Sequence, residues 1–209
     1  MKEYRCTDAI RLAKQEILRT AKDAFASGLM AATSGNLSIY NSEQECMVLT
    51  PSGYPYDQMT EEDLVVIDRD GNTLDGFRRP SSEWRMHSEI YRAVPECRAI
   101  VHTHSPYATA FAVLRQSIPC TLVEMQLFLG GSIEVTDYAV QGSAEVGKNC
   151  IPILSRKPVC LLANHGVVTT GHSLSQAYTN SLYVEDSARI TLLARSVGIP
   201  IEIEEHHHE

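Results

Sequence analysis

The spacing of apolar residues along the chain predicts helices separated by short strands. Apolar side chains recur every three or four positions in the first 30 residues, which predicts a helix from Thr7 or Asp8 to Leu29, with Gly28 near its end. The same criteria predict further helices at 82–94, from about Pro106, at 143–154 and at 173–197.

Short apolar runs between these helices predict the strands of one sheet. They lie at 37–40, 47–50, 64–67, 99–101, after Pro119, at 133–135 and at 159–163. Residues 68–72 read DRDGN, which predicts a tight turn after the third run that returns the chain in a hairpin towards Leu74. Strands mixed with helices predict a layered α/β fold. The hairpin-like turn indicates that the sheet is not purely parallel.

Composition and charge restrict the class of protein. The chain has 209 residues, a net charge of −8 and 44% hydrophobic residues, which is typical of a folded domain. A pI near 5.5 without a basic block argues against a nucleic-acid partner. There is no apolar signal segment and no run near the roughly 18 apolar residues of a membrane span, so we expect a soluble, cytoplasmic protein. Six cysteines without a CxxC pair indicate buried, reduced thiols.

Histidines follow two of the apolar runs. His102 and His104 are two residues apart, so on a strand their rings point the same way. His165 follows the run at 159–163. Three ligands from strand ends are typical of a catalytic zinc, which keeps one position open, whereas a structural zinc usually has four ligands rich in cysteine. The alternative, taken singly, is that each histidine is an ordinary core or surface residue, and an HxH pair alone is only a weak signal.

Three loops are rich in small polar residues and glycine: 33–36 (TSGN), 50–53 (TPSG) and 80–83 (PSSE). Glycine lets the backbone approach an anion, and hydroxyl and amide groups donate hydrogen bonds without charge. The third loop precedes a helix, and a helix N-terminus can bind phosphate. The alternative is that each loop is only a turn, with Ser81 or Ser82 as an N-cap and Glu83 as a first-turn acid.

Together these segments resemble the class II aldolase/adducin superfamily over nearly the whole chain. The matching segments read LTPSGYPYDQMT (49–60), RPSSEWRMH (79–87), IVHTHS (100–105), SIP (117–119) and NHGVVTTG (164–171). The resemblance implies a single domain over 1–209, a three-layer αβα sandwich around a mixed, largely antiparallel sheet. It also implies a homotetramer with sites at the subunit borders.

The resemblance also implies roles for individual residues. His102, His104 and His165 bind Zn²⁺, while Glu83 completes the resting metal shell and acts as acid/base once substrate displaces it. The implied phosphate site consists of Gly35, Asn36, Ser52, Gly53, Ser81 and Ser82. The implied reaction cleaves a ketose phosphate, such as L-fuculose 1-phosphate, to dihydroxyacetone phosphate and an aldehyde. Zinc stabilises the enediolate as a Lewis acid, so no Schiff-base lysine is needed.

The chain departs from the family aldolases after the SIP segment. The family has a tyrosine there that acts across a subunit boundary, whereas residues 121–125 read TLVEM. Glu124 lies near that position and resembles the acid of methylthioribulose-1-phosphate dehydratases, which makes it a candidate catalytic base. The C-terminal EEHHHE also lacks the aldolase's tyrosine-bearing tail.

Three alternatives therefore remain beside the aldolase. The first is a sugar-phosphate dehydratase. The second is a 4-epimerase, although those enzymes characteristically have aspartate at the position of Glu83. The third is a non-catalytic module like the adducin head, although such heads lack the zinc histidines that this chain has.

Overall fold

The computed structural model describes residues 4–203, so the C-terminal histidines lie outside the described residues. The helices are α1 (Asp8–Ala26), α2 (Trp84–Ala93), α3 (Pro106–Leu114), α4 (Ala144–Leu154) and α5 (Leu174–Arg195). The strands are β1 (Asn36–Asn41), β2 (Cys46–Leu49), β3 (Val65–Asp68), β4 (Thr73–Asp75), β5 (Ala99–Thr103), β6 (Val159–Leu162) and β7 (Gly166–Gly171). A 3₁₀ turn (Glu61–Asp63) and a π-helical turn (Met125–Leu129) complete the elements.

The seven strands form one sheet in the order β4-β3-β2-β1-β5-β7-β6, and all neighbouring strands are antiparallel. Within the described residues (4–203), the only parallel pair is the isolated bridge between Val135 and Leu161. This confirms the expected largely antiparallel sheet of an α/β fold. The order also puts β5 between β1 and β7, so residues far apart in sequence meet at the centre of the sheet.

Helices cover both faces of the sheet, which confirms the three-layer arrangement. Neighbouring residues of β5 show how the layers divide: Val101 faces a core shared with α1, while Ile100 faces a core shared with α2 and α4. Side chains alternate between the faces of a strand, so a strand buried on both sides is apolar throughout. A third cluster joins α3 and the π-helical turn to α5.

Helix boundaries differ from the predictions by a few residues. Thr7 caps α1 as expected, its hydroxyl accepting from the amide of Ile10. The helix ends at Ala26 because the chain leaves the helical path at Gly28, whose φ is +80°. Helix α2 begins at Trp84 rather than at 82, so the two serines before it remain in a loop.

Two predicted strands are wrong, and one strand was not predicted. The strand after Pro119 is absent from the described chain; this region forms the π-helical turn, because Met125 and Leu129, four residues apart, both face the core. Residues 133–135 make only isolated bridges. The unpredicted strand is β7, although its Val-Val-Thr-Thr run has the β-branched residues that favour strands.

The cysteines are all free thiols; five are buried, and Cys6 is exposed, contrary to the prediction for that residue. Between residues 4 and 203, every helix is too short or too polar to traverse a lipid bilayer.

A glycine in α4 tests the contact between the two helices of one layer. A Cβ at Gly147 would lie 2.7 Å from the carbonyl oxygen of Met86 in α2. Helix propensity alone predicts that Gly147→Ala stabilises the protein by about 1 kcal/mol. We expect the opposite, a loss of about 1–3 kcal/mol in the free energy of unfolding, because overpacking pushes the helices apart.

Urea denaturation measures this change, with Lys148→Ala at the neighbouring exposed position as the control. That control should stay within about 0.5 kcal/mol of the parent protein. A Gly147→Ala variant more stable than the parent would show that α2 and α4 are not closely packed.

Candidate metal centre and adjoining cleft

The three histidines converge at the centre of the sheet. His102 lies in β5 and is fully buried, His104 follows the end of that strand, and His165 lies in the turn between β6 and β7. Because β5 and β7 are neighbours, this turn faces the end of β5. The ring centroids are 4.8–5.0 Å apart.

The sequence Asn-His-Gly explains how the turn between β6 and β7 presents His165. Asn164 has a left-handed backbone, with φ at +57°, which asparagine tolerates better than most residues. Its side-chain oxygen accepts a hydrogen bond from Arg115 Nε at 2.9 Å, and its backbone N–H donates to the carbonyl of Ala112 at 3.0 Å. A Cβ at Gly166 would lie 2.3 Å from the carbonyl of Thr103, so only glycine permits this approach of β7 to β5.

Glu83 completes the group from the start of α2, which packs on the face of the sheet towards which His102 points. It occupies the N-cap position of α2 and is 3% exposed. Its Oε2 lies 3.0 Å from His102 Nε2, and its Oε1 lies 3.3 Å from His165 Nε2. One ligand atom from each of Glu83, His102, His104 and His165 lies within 4.8 Å of the others. These four residues form the candidate metal-ligand group, and its three histidines form the histidine group.

Hydrogen bonding determines which nitrogen of His102 faces this group. Its Nδ1 lies 2.8 Å from the carbonyl oxygen of Val167, which can only accept, so Nδ1 carries the proton. In the neutral ring the lone pair is therefore on Nε2, which faces His104 Nε2 at 3.1 Å and the Glu83 carboxylate. A backbone carbonyl that fixes the tautomer in this way is typical of metal-binding histidines.

The electrostatics of the site keep most of these groups in the form that binds metal. Burial and the neighbouring His102 lower the pKa of His104 and His165 to about 4, so both rings are neutral at pH 7. Burial opposes ionisation of Glu83, but His102, His165 and Asn36 more than offset it and hold its pKa well below the usual range. Burial also disfavours charge on His102, yet the Glu83 carboxylate raises its pKa.

The unpaired atoms of the site test whether a metal fits. Glu83 Oε1 and His165 Nε2 are buried, and neither has a hydrogen-bond partner within the described chain. Buried polar atoms without partners are costly, by about 1–3 kcal/mol each. A cation among the four ligand atoms would satisfy both. Three imidazole nitrogens and a carboxylate oxygen suit a borderline divalent ion such as Zn²⁺.

A cleft of about 360 Å³ adjoins the group and shares Glu83 and His104 with it. Its other lining residues are Ala31, Ala32, Thr33, Ser34, Gly35, Asn36, Pro51, Ser52, Gly53, Ser81, Ser82 and Gln141. No lysine or arginine belongs to this described lining. The cleft therefore offers hydroxyl, amide and backbone N–H donors rather than fixed cationic side chains.

Backbone pairing holds two of the cleft loops side by side. Pro51 and Pro80 form an isolated antiparallel bridge. The Ser52 amide donates to the carbonyl of Arg79 at 3.0 Å, and the Ser81 amide donates to that of Thr50 at 3.2 Å. The two serine loops thus form one wall of the cleft, next to the start of α2.

The remaining cleft loop, residues 33–36, is fixed by a tyrosine and by a close approach to β5. The hydroxyl of Tyr56 donates to the carbonyl of Gly35 at 2.7 Å. Gly35 has φ at +82°, and a Cβ there would lie 2.7 Å from the carbonyl oxygen of His102. Glycine is therefore required at this position, where the loop contacts the strand that carries the metal-ligand candidates.

The six residues proposed for phosphate binding all line the cleft, but Glu124 does not. Glu124 is exposed and precedes the π-helical turn. Gln141 in the lining was not predicted, because a lone glutamine in a loop offers no chemical signal. His87 was not predicted either, although its position one helical turn after Glu83 was a usable signal.

Comparisons with known proteins agree with this arrangement. The family model described as the class II aldolase and adducin N-terminal domain matches residues 15–192. The chain is 34% identical over 187 residues to 5-deoxy-D-ribulose 1-phosphate aldolase of Bacillus thuringiensis serovar kurstaki, covering 90% of this chain and 87% of the relative. It is 33% identical over 193 residues to L-fuculose phosphate aldolase of Escherichia coli K12, with 92% and 88% covered.

A solved structure shows the same similarity in three dimensions. An L-fuculose 1-phosphate aldolase matches the fold with a TM-score of 0.89 at 34% identity, and 98% of this chain and 94% of the other are covered. The family model and these relatives extend over the sheet, the histidine group and the cleft loops alike. The chain therefore belongs to the class II aldolase and adducin family.

Proposed function

We propose that this protein is a Zn²⁺-dependent aldolase that cleaves a ketose 1-phosphate to dihydroxyacetone phosphate and an aldehyde. The observation that carries the proposal is that Glu83 and His104 belong both to the metal-ligand group and to the cleft wall. A substrate held in the cleft by its phosphate thus has its carbonyl end next to the metal. The names of the relatives, aldolases of 5-deoxy-D-ribulose 1-phosphate and L-fuculose phosphate, support this substrate class.

The cleft loops hold the phosphate end of the substrate. We assign this role to Gly35, Asn36, Ser52, Gly53, Ser81 and Ser82, which line the cleft. Backbone amides and hydroxyl groups next to a helix N-terminus bind a dianion without a cationic side chain. Fixing this end orients the bond between C3 and C4 and converts binding energy into a lower barrier.

At the other end, His102, His104 and His165 would hold the zinc ion, with Glu83 as a fourth candidate ligand in the absence of substrate. Zinc supplies Lewis-acid stabilisation of the negative charge that develops on the three-carbon fragment. The Glu83 carboxylate accepts the proton of the C4 hydroxyl as the C3–C4 bond breaks to give the aldehyde, and it then delivers that proton to C3 of the three-carbon fragment. Its lowered pKa makes the ionised form the resting state, as a proton acceptor requires.

The dehydratase alternative depends on Glu124. Within one chain this residue is exposed and lies outside the cleft lining, so it acts at the site only if a neighbouring subunit brings it there. Val123, Leu127 and Phe128 beside it are 47–69% exposed, an apolar surface that supports our proposal of a homotetramer.

A substrate screen tests the reaction type. Zinc-loaded protein is incubated with 5-deoxyribulose 1-phosphate, fuculose 1-phosphate and a ketose 5-phosphate, and dihydroxyacetone phosphate is followed by coupled reduction. We expect release from the 1-phosphates. Loss of water without release of dihydroxyacetone phosphate would establish a dehydratase, and no turnover of any of these phosphates would refute the proposal.

Removing one candidate ligand tests the metal centre. We expect His104→Ala to lower both zinc content and kcat/KM, the latter by more than the roughly 10–100-fold typical of losing a hydrogen-bond partner of a ligand. The fold should persist, because His104 lies at the cleft rather than in the core. Metal analysis and circular dichroism measure the two effects.

His172→Ala is the matched control, since His172 is exposed and remote from the histidine group. It should keep full zinc content and activity. A metal-free His104→Ala protein with the parent's turnover would refute the metal-dependent mechanism.

The isosteric change Glu83→Gln separates metal binding from proton transfer. The three histidines remain, so we expect zinc to stay bound, while kcat falls by roughly 10²–10⁴-fold because an amide cannot carry the proton. Zinc analysis and steady-state kinetics are compared with Glu89→Gln, a change on the same helix outside the cleft lining. Unchanged turnover in Glu83→Gln would remove Glu83 from the proton-transfer role.

A further inference from the structure

We propose that His87, which lies outside the metal-ligand group and the cleft lining, is a positioning residue that sets the orientation of the Glu83 carboxylate through Asn36. The proposal rests on the proposed function insofar as it gives Glu83 a role in turnover. The observations behind it are a continuous set of buried hydrogen bonds that starts at Glu83 and runs away from the cleft.

The contacts form an unbranched series through the core. Asn36 Nδ2 lies 2.9 Å from Glu83 Oε2, and Asn36 Oδ1 lies 2.5 Å from His87 Nε2. His87 Nδ1 lies 2.6 Å from Ser38 Oγ, which lies 2.7 Å from the hydroxyl of Tyr91. Each of these five residues is at most 4% exposed. Such a polar series in an otherwise apolar layer is costly unless every member is satisfied.

The chemistry of the partners fixes the direction of each hydrogen bond nearest the site. An ionised carboxylate can only accept, so the amide nitrogen of Asn36 must face Glu83. The amide oxygen of Asn36 then faces His87, and because that oxygen can only accept, His87 Nε2 must carry a proton.

The far side of His87 completes the assignment. A neutral ring protonated at Nε2 accepts at Nδ1, so the Ser38 hydroxyl donates to it. The Ser38 hydroxyl oxygen can then accept from Tyr91, whose hydroxyl also lies 3.1 Å from the Ser38 carbonyl. Burial, together with His102, lowers the pKa of His87 to about 3, which agrees with a neutral ring.

The orientation of the Asn36 amide is what His87 controls. If the amide were rotated by half a turn, its oxygen would face the Glu83 carboxylate and its nitrogen would face His87 Nε2–H. Both contacts would then be repulsive, so the protonated Nε2 selects the orientation that donates to Glu83. Since Glu83 Oε1 has no hydrogen-bond partner in the described chain, Asn36 is the amide that holds this carboxylate.

The residues come from two elements that flank the site. Asn36 and Ser38 lie on β1, whereas His87 and Tyr91 lie on α2, one and two helical turns after Glu83. The series therefore ties the N-terminal end of α2 to the sheet. A carboxylate that accepts and delivers a proton benefits from one fixed donor that defines its position.

Steady-state kinetics on single and double variants test this positioning role. In His87→Leu, which lacks the donor, we expect kcat to fall by roughly 10–100-fold, the range for partners of site residues. KM should change little because the cleft loops remain intact. His87→Gln places an amide N–H near the position of Nε2 and should restore part of the lost kcat.

The double variant distinguishes positioning from a general structural effect. If His87 acts through Glu83, His87→Leu should lower kcat much less in a Glu83→Gln background than in the parent, since coupled residues are not additive. An equal fold-loss in both backgrounds would overturn the proposal. So would a His87→Gln variant no better than His87→Leu, provided both unfold at the parent's denaturant midpoint.

A measurement independent of turnover separates this proposal from the proposed function. Long-range ¹H–¹⁵N NMR of the zinc-loaded protein, labelled with ¹⁵N-histidine, reports the protonated nitrogen of His87. We expect a neutral ring with the proton on Nε2 at pH 7. A proton on Nδ1, or on both nitrogens, would refute the network even if the aldolase is active. An Nε2 proton in a protein without aldolase activity would uphold the network and refute the function.

Discussion

The burial of one carboxylate, that of Glu83, is the constraint on which the rest of the site depends. An ionised group that is 3% exposed is stable only when charges or donors surround it. The fold supplies His102, His165 and Asn36, each within 3.3 Å of a carboxylate oxygen. These residues come from β5, the β6–β7 turn and β1, and the strand order brings these elements together around Glu83. Asn36 Nδ2 is the neutral donor among these contacts, and losing it would leave the buried charge undercompensated.

The acidic character of the chain and the proposed anionic substrate are compatible because they concern different parts of the molecule. The net charge of −8 belongs to the sequence as a whole, whereas the described cleft lining has hydroxyls, amides and backbone N–H groups and one acid, Glu83. Donors of this kind attract phosphate only at hydrogen-bond range.

Local patterns predicted the histidines of the site but could not predict the contacts that make them a unit. The spacing of His102 and His104 predicted convergence because a strand repeats every two residues. The contact of His165 with them depends on the pairing of β7 with β5, two strands that lie about 65 positions apart in the sequence. Strand β7 itself was not predicted. The strand predicted after Pro119 was wrong because a short apolar run fits a buried helical turn equally well. The hydrogen bond from Asn36 to Glu83 spans 47 residues, and no sequence period encodes it.

The proposed function divides the substrate into an end that one chain recognises and an end that it does not. The candidate metal ligands and the loops proposed for phosphate binding belong to a single chain and meet in one cleft. Glu124, the candidate at the position of the family tyrosine, lies instead on an exposed surface with apolar neighbours. If subunits associate through that surface, the aldehyde end of the substrate meets residues of a neighbour. A substitution on that surface would then change specificity for the aldehyde without disturbing the buried carboxylate.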